Sequence, residues 1–142
     1  KNIVHCGSGG LGQATKICNN MLAGINALAA AEAMTMGERL GVSPDILYEV
    51  ISTSTGRSYI FETSNPMPDV CSTSPANNKF KPGFMAKLML KDLRLSQAAA
   101  QDAKTSTPLG AAATAAFQQL IDSGFGDLDT SSIIKVIKPE PK

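Results

Sequence analysis

The chain has 142 residues, 43% of them apolar and 18% charged, with a formal charge of +1. That is one ordinary domain, without the basic field nucleic acid demands or the run of about 20 apolar residues that crosses a bilayer. It is also short for an enzyme that must hold both a nucleotide domain and a substrate domain.

Lys1-Asn2-Ile3-Val4-His5-Cys6 reads as a short apolar strand. It opens without an initiator Met or a preceding turn, and so reads as the closing strand of an upstream domain. Residues 1–8 are assigned to that strand's end and a hinge, and residues 9–142 to a helical domain. Gly7-Ser8-Gly9-Gly10-Leu11-Gly12 follows, a literal G-x-G-x-x-G, with Glu32 placed 20 positions beyond Gly12. The dinucleotide fingerprint requires a second strand ending in that acid. Here Gln13 to Leu40 is rich in Ala, Met and Leu and helix-forming throughout, so the fingerprint reading fails on context. The glycines are instead expected to allow close backbone approach at a tight strand-to-helix turn.

The first helix is expected from near Gly12 to Gly41, with Ile17, Met21, Ile25 and Leu28 as one apolar face and small alanines over much of the rest. A helix that is apolar or small nearly all round is buried between others. Ser43-Pro44-Asp45 starts a second helix, with Ile46, Leu47, Val50 and Ile51 as its buried side. Gly56 to Gly83 shows neither helical nor strand period and carries four prolines. Structureless loops beyond about 12–15 residues are uncommon in compact domains, and Tyr59, Ile60, Phe61, Met67, Val70 and Phe80 give this one side chains to pack, so it is read as ordered. A third helix runs from near Phe84 to about Ala103, with Phe84, Leu88, Leu95 and Ala99 on one stripe and Lys91 within it. Thr107-Pro108 caps a fourth, ending near Gly124. Asp129 or Thr130 caps a short last helix, stopped by Pro139. The fold class is all-α: a helical bundle around one long buried helix, with a remnant strand at its start.

Cys6, Cys18 and Cys71 are odd in number and lack C-x-x-C spacing, and His5 stands alone. Neither a disulfide scaffold nor a metal site is expected, and the cysteines read as those of a reduced compartment, Cys18 as a small buried hydrophobe. Lys16 lies four residues past Gly12 in the first turns of the long helix, with Asn20 one turn further on the same face. An amine so placed can exchange a proton with a substrate hydroxyl, and an amide beside it can orient that hydroxyl. Spacing alone favours a surface role for Lys16, or a bond to a loop carbonyl, over the catalytic one. Lys91 reads as an ammonium with its stem along Leu88 and Leu95, and Asp92 as a partner carboxylate or a surface charge.

Gly7-x-x-Gly10-x-Gly12-x-x-x-Lys16-x-x-x-Asn20 closely resembles the signature of the β-hydroxyacid dehydrogenases, where it opens the helical C-terminal domain. Gly83 to Leu93 resembles that family's second motif, and Gly124 to Ser132 its C-terminal Gly-x-Gly…Asp-x-Ser pattern. The resemblance implies a catalytic lysine at Lys16, substrate contacts at Asn20, Gly10 and Gly12, and cofactor contacts at Lys91 and Phe84. It implies NAD held mainly by a Rossmann domain outside this chain, a small 3-hydroxyacid substrate, and a homo-oligomer formed through the helical domain. Neither nucleic acid nor membrane is a partner on this reading. Within the family, the segments Asn65 to Val70 and Ser74 to Asn78 resemble mitochondrial members that act in valine breakdown, with reductases of tartronate, glyoxylate or succinic semialdehyde as the alternative. A helical dimerisation domain without catalysis is the alternative of another class. The presence of Lys16, Asn20 and Lys91 favours the dehydrogenase.

Overall fold

The computed structural model describes residues 3–138, and its regular structure is helical. Helix α1 spans Leu11–Arg39, α2 Pro44–Ser52, α3 Tyr59–Thr63, α4 Ala86–Asp102, α5 Pro108–Asp122 and α6 Ile134–Ile137, with 3₁₀ turns at Pro75–Asn78 and Thr130–Ile133. Among the described residues the β pairing amounts to an isolated bridge between Met85 and Asp129. The strand expected over Lys1–Cys6 does not form across Ile3–Cys6; Lys1, Asn2 and the stop at Pro139 lie outside the described residues. A strand needs a neighbour to take its backbone hydrogen bonds, and this helical chain offers no sheet edge. Ile3 and Val4 are therefore exposed.

The 29 residues of α1 extend about 44 Å at 1.5 Å per residue, and all five other helices contact or reach it directly or through α4 and α5. Its fully buried stripe is made of Gly24, Ala27, Ala30, Ala31, Met34, Thr35 and Gly37. The larger Ile17, Met21, Ile25 and Leu28 are half-buried, because small side chains let neighbouring helices come closest where they lie. A Cβ at Gly24 would fall 2.9 Å from Leu93 Cδ2 and 3.2 Å from Met89 Sδ, so α4 rests against bare backbone there. Leu47 of α2 fills the equivalent space at Gly37. Met34, Leu93, Phe117, Leu120 and Ile133 complete a core drawn from α1, α4, α5 and the second 3₁₀ turn. Before Asn20, α1 is exposed apart from half-buried Ile17.

Two expected faces are turned. In α2 Leu47, Tyr48 and Ile51 pack on the core, while Ile46 and Val50 face outward. In α4 the inward face is Ala86, Met89, Leu90 and Leu93; Phe84, Leu88 and Leu95 are exposed. Each helix carries two apolar stripes, and the core takes one. Ser43 and Thr107 hold their N-cap positions without a side-chain capping bond.

The segment from Gly56 to Gly83 is ordered by its own polar groups. Ser58 Oγ accepts from Phe61 N at 3.1 Å and starts α3, and the Phe61 ring stacks on Tyr48 with centroids 5.6 Å apart. Buried Asn65 accepts from Met67 N at 3.0 Å, and Ser74 Oγ donates to Asn65 O at 2.6 Å. The segment's end is tied down by Asp129. Its Oδ2 accepts from Gly83 N and Phe84 N, both at 3.0 Å, and its Oδ1 accepts from Ser131 N at 2.9 Å and Ser131 Oγ at 2.8 Å. Asp129 thus caps the second 3₁₀ turn and fixes the approach to α4 with one buried carboxylate. Asp129→Ala strips four donors of their acceptor, and hydrogen bonds to charged groups contribute about 1.5–3 kcal/mol each. With partial replacement by water, a loss of about 3 kcal/mol in denaturant unfolding is expected; a loss below about 1 kcal/mol would contradict this role.

Candidate active site

The entry to α1 is set by glycine. Gly10 is the N-cap residue with φ 91°, and Gly7 before it has φ 102°, both in the left-handed region that side chains resist. Leu11 N donates to Ser8 O at 3.2 Å. No side chain caps the helix, which leaves the donors of its first turn available to a ligand. At Gly12 a Cβ would meet nothing within 4 Å, so no contact inside this domain requires a glycine there.

Lys16 follows one turn later and is exposed. Among the described residues no hydrogen bond or ion pair engages its ammonium. Asn20 lies about 6 Å further along the axis on the same face and is half-buried, because at this level α1 begins to press on α4. Its Nδ2 donates to Asp92 Oδ2 at 2.7 Å, a contact between residues 72 apart in sequence. The other Asp92 oxygen, Oδ1, lies 3.4 Å from Lys91 Nζ. Asp92 is 8% exposed, whereas the Lys91 side chain is 62% exposed. Asn20 Oδ1 also accepts from Asn19 Nδ2 at 3.2 Å.

The fold thus joins Asn20, Asp92 and Lys91 directly and sets Lys16 one turn away on the same helix. Gly10 and Gly12 stand at the helix end that Lys16 follows. Phe84 does not contact these polar groups through any hydrogen bond; its backbone is held by Asp129 Oδ2 and by Thr130 N, which donates to Phe84 O at 2.9 Å. Its ring begins an exposed stripe that continues through Leu88, Lys91 and Leu95 along α4. An ammonium set in an exposed apolar stripe suits a ligand with a flat ring and an anionic tail.

Two residues stand apart from their sequence readings. Cys18 is exposed rather than buried. It lines a groove of about 480 Å³ with Gly10, Ile17, Met21, Ala99, Ala100 and Ala103. Asp92, left open between partner and surface charge, is a partner. The signal was present in the helical row Met89, Asp92, Ser96, where a carboxylate interrupts the inward face of α4.

Residues 10–137 match a family model described as NAD-binding of NADP-dependent 3-hydroxyisobutyrate dehydrogenase. The chain is 40% identical over 140 residues to the mitochondrial 3-hydroxyisobutyrate dehydrogenase of Drosophila melanogaster, covering 99% of this chain and 43% of that protein. It is 39% identical over 139 residues to the NAD-dependent L-serine dehydrogenase of Pseudomonas aeruginosa, covering 98% of this chain and 47% of that protein. In structure it is similar to 3-hydroxyisobutyrate dehydrogenase of Mycobacterium tuberculosis, solved with L-serine, at TM-score 0.91 and 41% identity over 96% of this chain and 47% of that one. The chain therefore spans about half the length of the relatives it matches.

Proposed function

The chain belongs to the 3-hydroxyisobutyrate dehydrogenase family, described as NAD-binding, and on that premise we propose that it is the catalytic C-terminal half of an NAD-dependent dehydrogenase. The whole protein oxidises 3-hydroxyisobutyrate to methylmalonate semialdehyde in valine breakdown. The observation that carries this reading is the meeting of Asn20, Asp92 and Lys91 one helical turn from Lys16. A nucleotide domain precedes residue 9, and residues 1–8 finish its last strand and form the hinge. Exposed Ile3 and Val4, strand formers without a sheet here, support that arrangement, as does the half-length match to relatives.

The chemistry follows from these positions. Lys16 takes the proton of the substrate's primary hydroxyl during oxidation and returns it during reduction. Asn20 hydrogen-bonds the same oxygen and holds it at the amine. The uncapped amides near Gly10 and the open approach at Gly12 receive the rest of the substrate. Lys91 on α4 and Phe84 just before it, both exposed, fit the cofactor's charged and flat parts. Bound NAD supplies the hydride acceptor. The nucleotide domain must present that acceptor at Lys16, and such alignment is worth roughly 7–11 kcal/mol of barrier; the domain alone therefore does not turn over.

The substrate class is a short acid with a primary alcohol at C3. L-Serine shares that carbon skeleton position and carboxylate, and both a serine dehydrogenase and a serine-containing structure are among the similar proteins. 3-Hydroxyisobutyrate is preferred here because the segments Asn65 to Val70 and Ser74 to Asn78 resemble that branch. Reduction of tartronate, glyoxylate or succinic semialdehyde is the runner-up. The mitochondrial matrix is the compartment this reading carries, supported by the name of the fruit-fly relative.

The same helix also carries a partner surface. Leu22, Ala29 and Met36 recur every seven residues on α1, as do Asn26, Ala33 and the C-cap residue Leu40. Leu22, Met36 and Leu40 are 56%, 62% and 75% exposed, and a groove of about 550 Å³ runs over Ala29, Ala33, Met36 and Leu40. This is a helix-pairing seam. Glu32 and Arg39 flank it seven residues apart. An antiparallel second copy sets Met36 against Ala33 and each Glu32 against the other's Arg39, so one patch complements itself about a two-fold axis. The domain is thus both catalytic and dimer-forming.

In the full-length protein, Lys16→Ala is expected to lower NAD-linked oxidation of 3-hydroxyisobutyrate by about 10²–10⁴-fold, measured by NADH absorbance. Survival of near wild-type rates would assign the domain to pairing alone. A kcat/KM for L-serine or a semialdehyde above that for 3-hydroxyisobutyrate would move the substrate assignment. For the dimer, Glu32→Arg is expected to weaken self-association in sedimentation, and adding Arg39→Glu to restore it. Unchanged association in both would place the interface elsewhere.

A further inference from the structure

Asp92 sits on the inward side of α4, in a row with Met89 and Ser96, where packing alone calls for an apolar residue. Taking a carboxylate out of water is costly and needs good partners to offset it. Its partners are Asn20 Nδ2 at 2.7 Å and Lys91 Nζ at 3.4 Å. The Lys91 side chain is 62% exposed, so that attraction is largely screened and does little for folding. What the two partners share is their place at the proposed site: one faces the substrate hydroxyl and the other the cofactor. Resting on that reading of the site, we propose that Asp92 is its positioning residue, a single buried anchor that sets both side chains.

The chemistry of the groups makes the anchoring directional. An ionised carboxylate only accepts hydrogen bonds, so it turns the Nδ2 end of Asn20 toward α4. Oδ1 of Asn20 is then held on the other side, where Asn19 Nδ2 donates to it at 3.2 Å. One N–H of Asn20 stays available to the substrate oxygen. An amide turned the other way would offer that oxygen a second acceptor instead of a donor. On the other carboxylate oxygen, the Lys91 ammonium lies 3.4 Å away, so the carboxylate biases an exposed side chain toward this end of the site. Substrate-side and cofactor-side contacts are therefore registered to each other through one group.

The test is Asp92→Asn in the full-length dehydrogenase. Asparagine keeps the size, but its amide can meet Asn20 with either a donor or an acceptor, and the charge that gathers Lys91 is gone. KM for 3-hydroxyisobutyrate is expected to rise about 10-fold and KM for NAD several-fold, with kcat/KM for the hydroxyacid down 10- to 100-fold and the melting temperature close to wild type. The substrate effect should vanish in an Asn20→Ala background and the cofactor effect in a Lys91→Met background, since coupled residues are non-additive. The exchange Asn20→Asp with Asp92→Asn re-forms the bond between the helices with the charge on the wrong side. It should fold as wild type and stay impaired. Wild-type KM values in folded Asp92→Asn, or losses that simply add in the two double variants, would overturn the proposal. If the wild-type protein oxidises no 3-hydroxyacid, the functional reading fails instead. The anchor is then decided by the side-chain amide resonances of Asn20, which should shift in Asp92→Asn and would, if unmoved, sink it.

Discussion

α1 and α4 lie as close as they do because residue 24 has no side chain. Leu93 and Met89 occupy the space a Cβ would need, and the two helices meet on bare backbone. One turn earlier, the same closeness brings a short Asn side chain within 2.7 Å of a short Asp. These are two of the shortest polar side chains, and they tolerate little separation before the bond between them is lost. Core packing and site geometry are therefore consequences of one approach distance. The other elements pack around it: α5 lies against both α1 and α4, burying Phe117 and Leu120, and the second 3₁₀ turn adds Ile133.

Asp129 is the counterpart of this closeness at the other end of α4. It joins the end of a long proline-bearing segment to the last helical turn through four hydrogen bonds. A segment without period can be rigid when its ends and its buried amides are all satisfied. That rigidity fixes the backbone of Phe84, and with it the start of the stripe that carries Lys91.

The longer helices were legible in the sequence, since Ala, Met and Leu between glycines define α1 to within two residues and prolines mark the starts of α2 and α5, whereas short α3 lies in the segment read as a loop without period. Which way those helices face was not. Ile46 and Val50, and Phe84, Leu88 and Leu95, have the same periodicity as the residues that fill the core, and period cannot rank two apolar stripes on one helix. The strand at the start failed for the opposite reason: its pattern is sound, but a strand is a property of two chains segments and not of one. That Lys16 and Asn20 share one face of α1 was legible, because i and i+4 are neighbours on a helix. The link from Asn20 to Asp92 was not, because it joins positions 72 apart and depends on a tertiary approach.

The leading turns of α1 are exposed from Leu11 to Asn19 apart from half-buried Ile17. Helical segments of fewer than about 12–15 residues hold marginally in water without packing, and unpacked elements open at far smaller free energies than a core does. The amine at Lys16 therefore rides on the least protected stretch of the longest helix. On the proposed reading, a surface that covers that stretch would complete its packing as well as a cleft, so ordering the turn that carries Lys16 and closing the site would be one equilibrium.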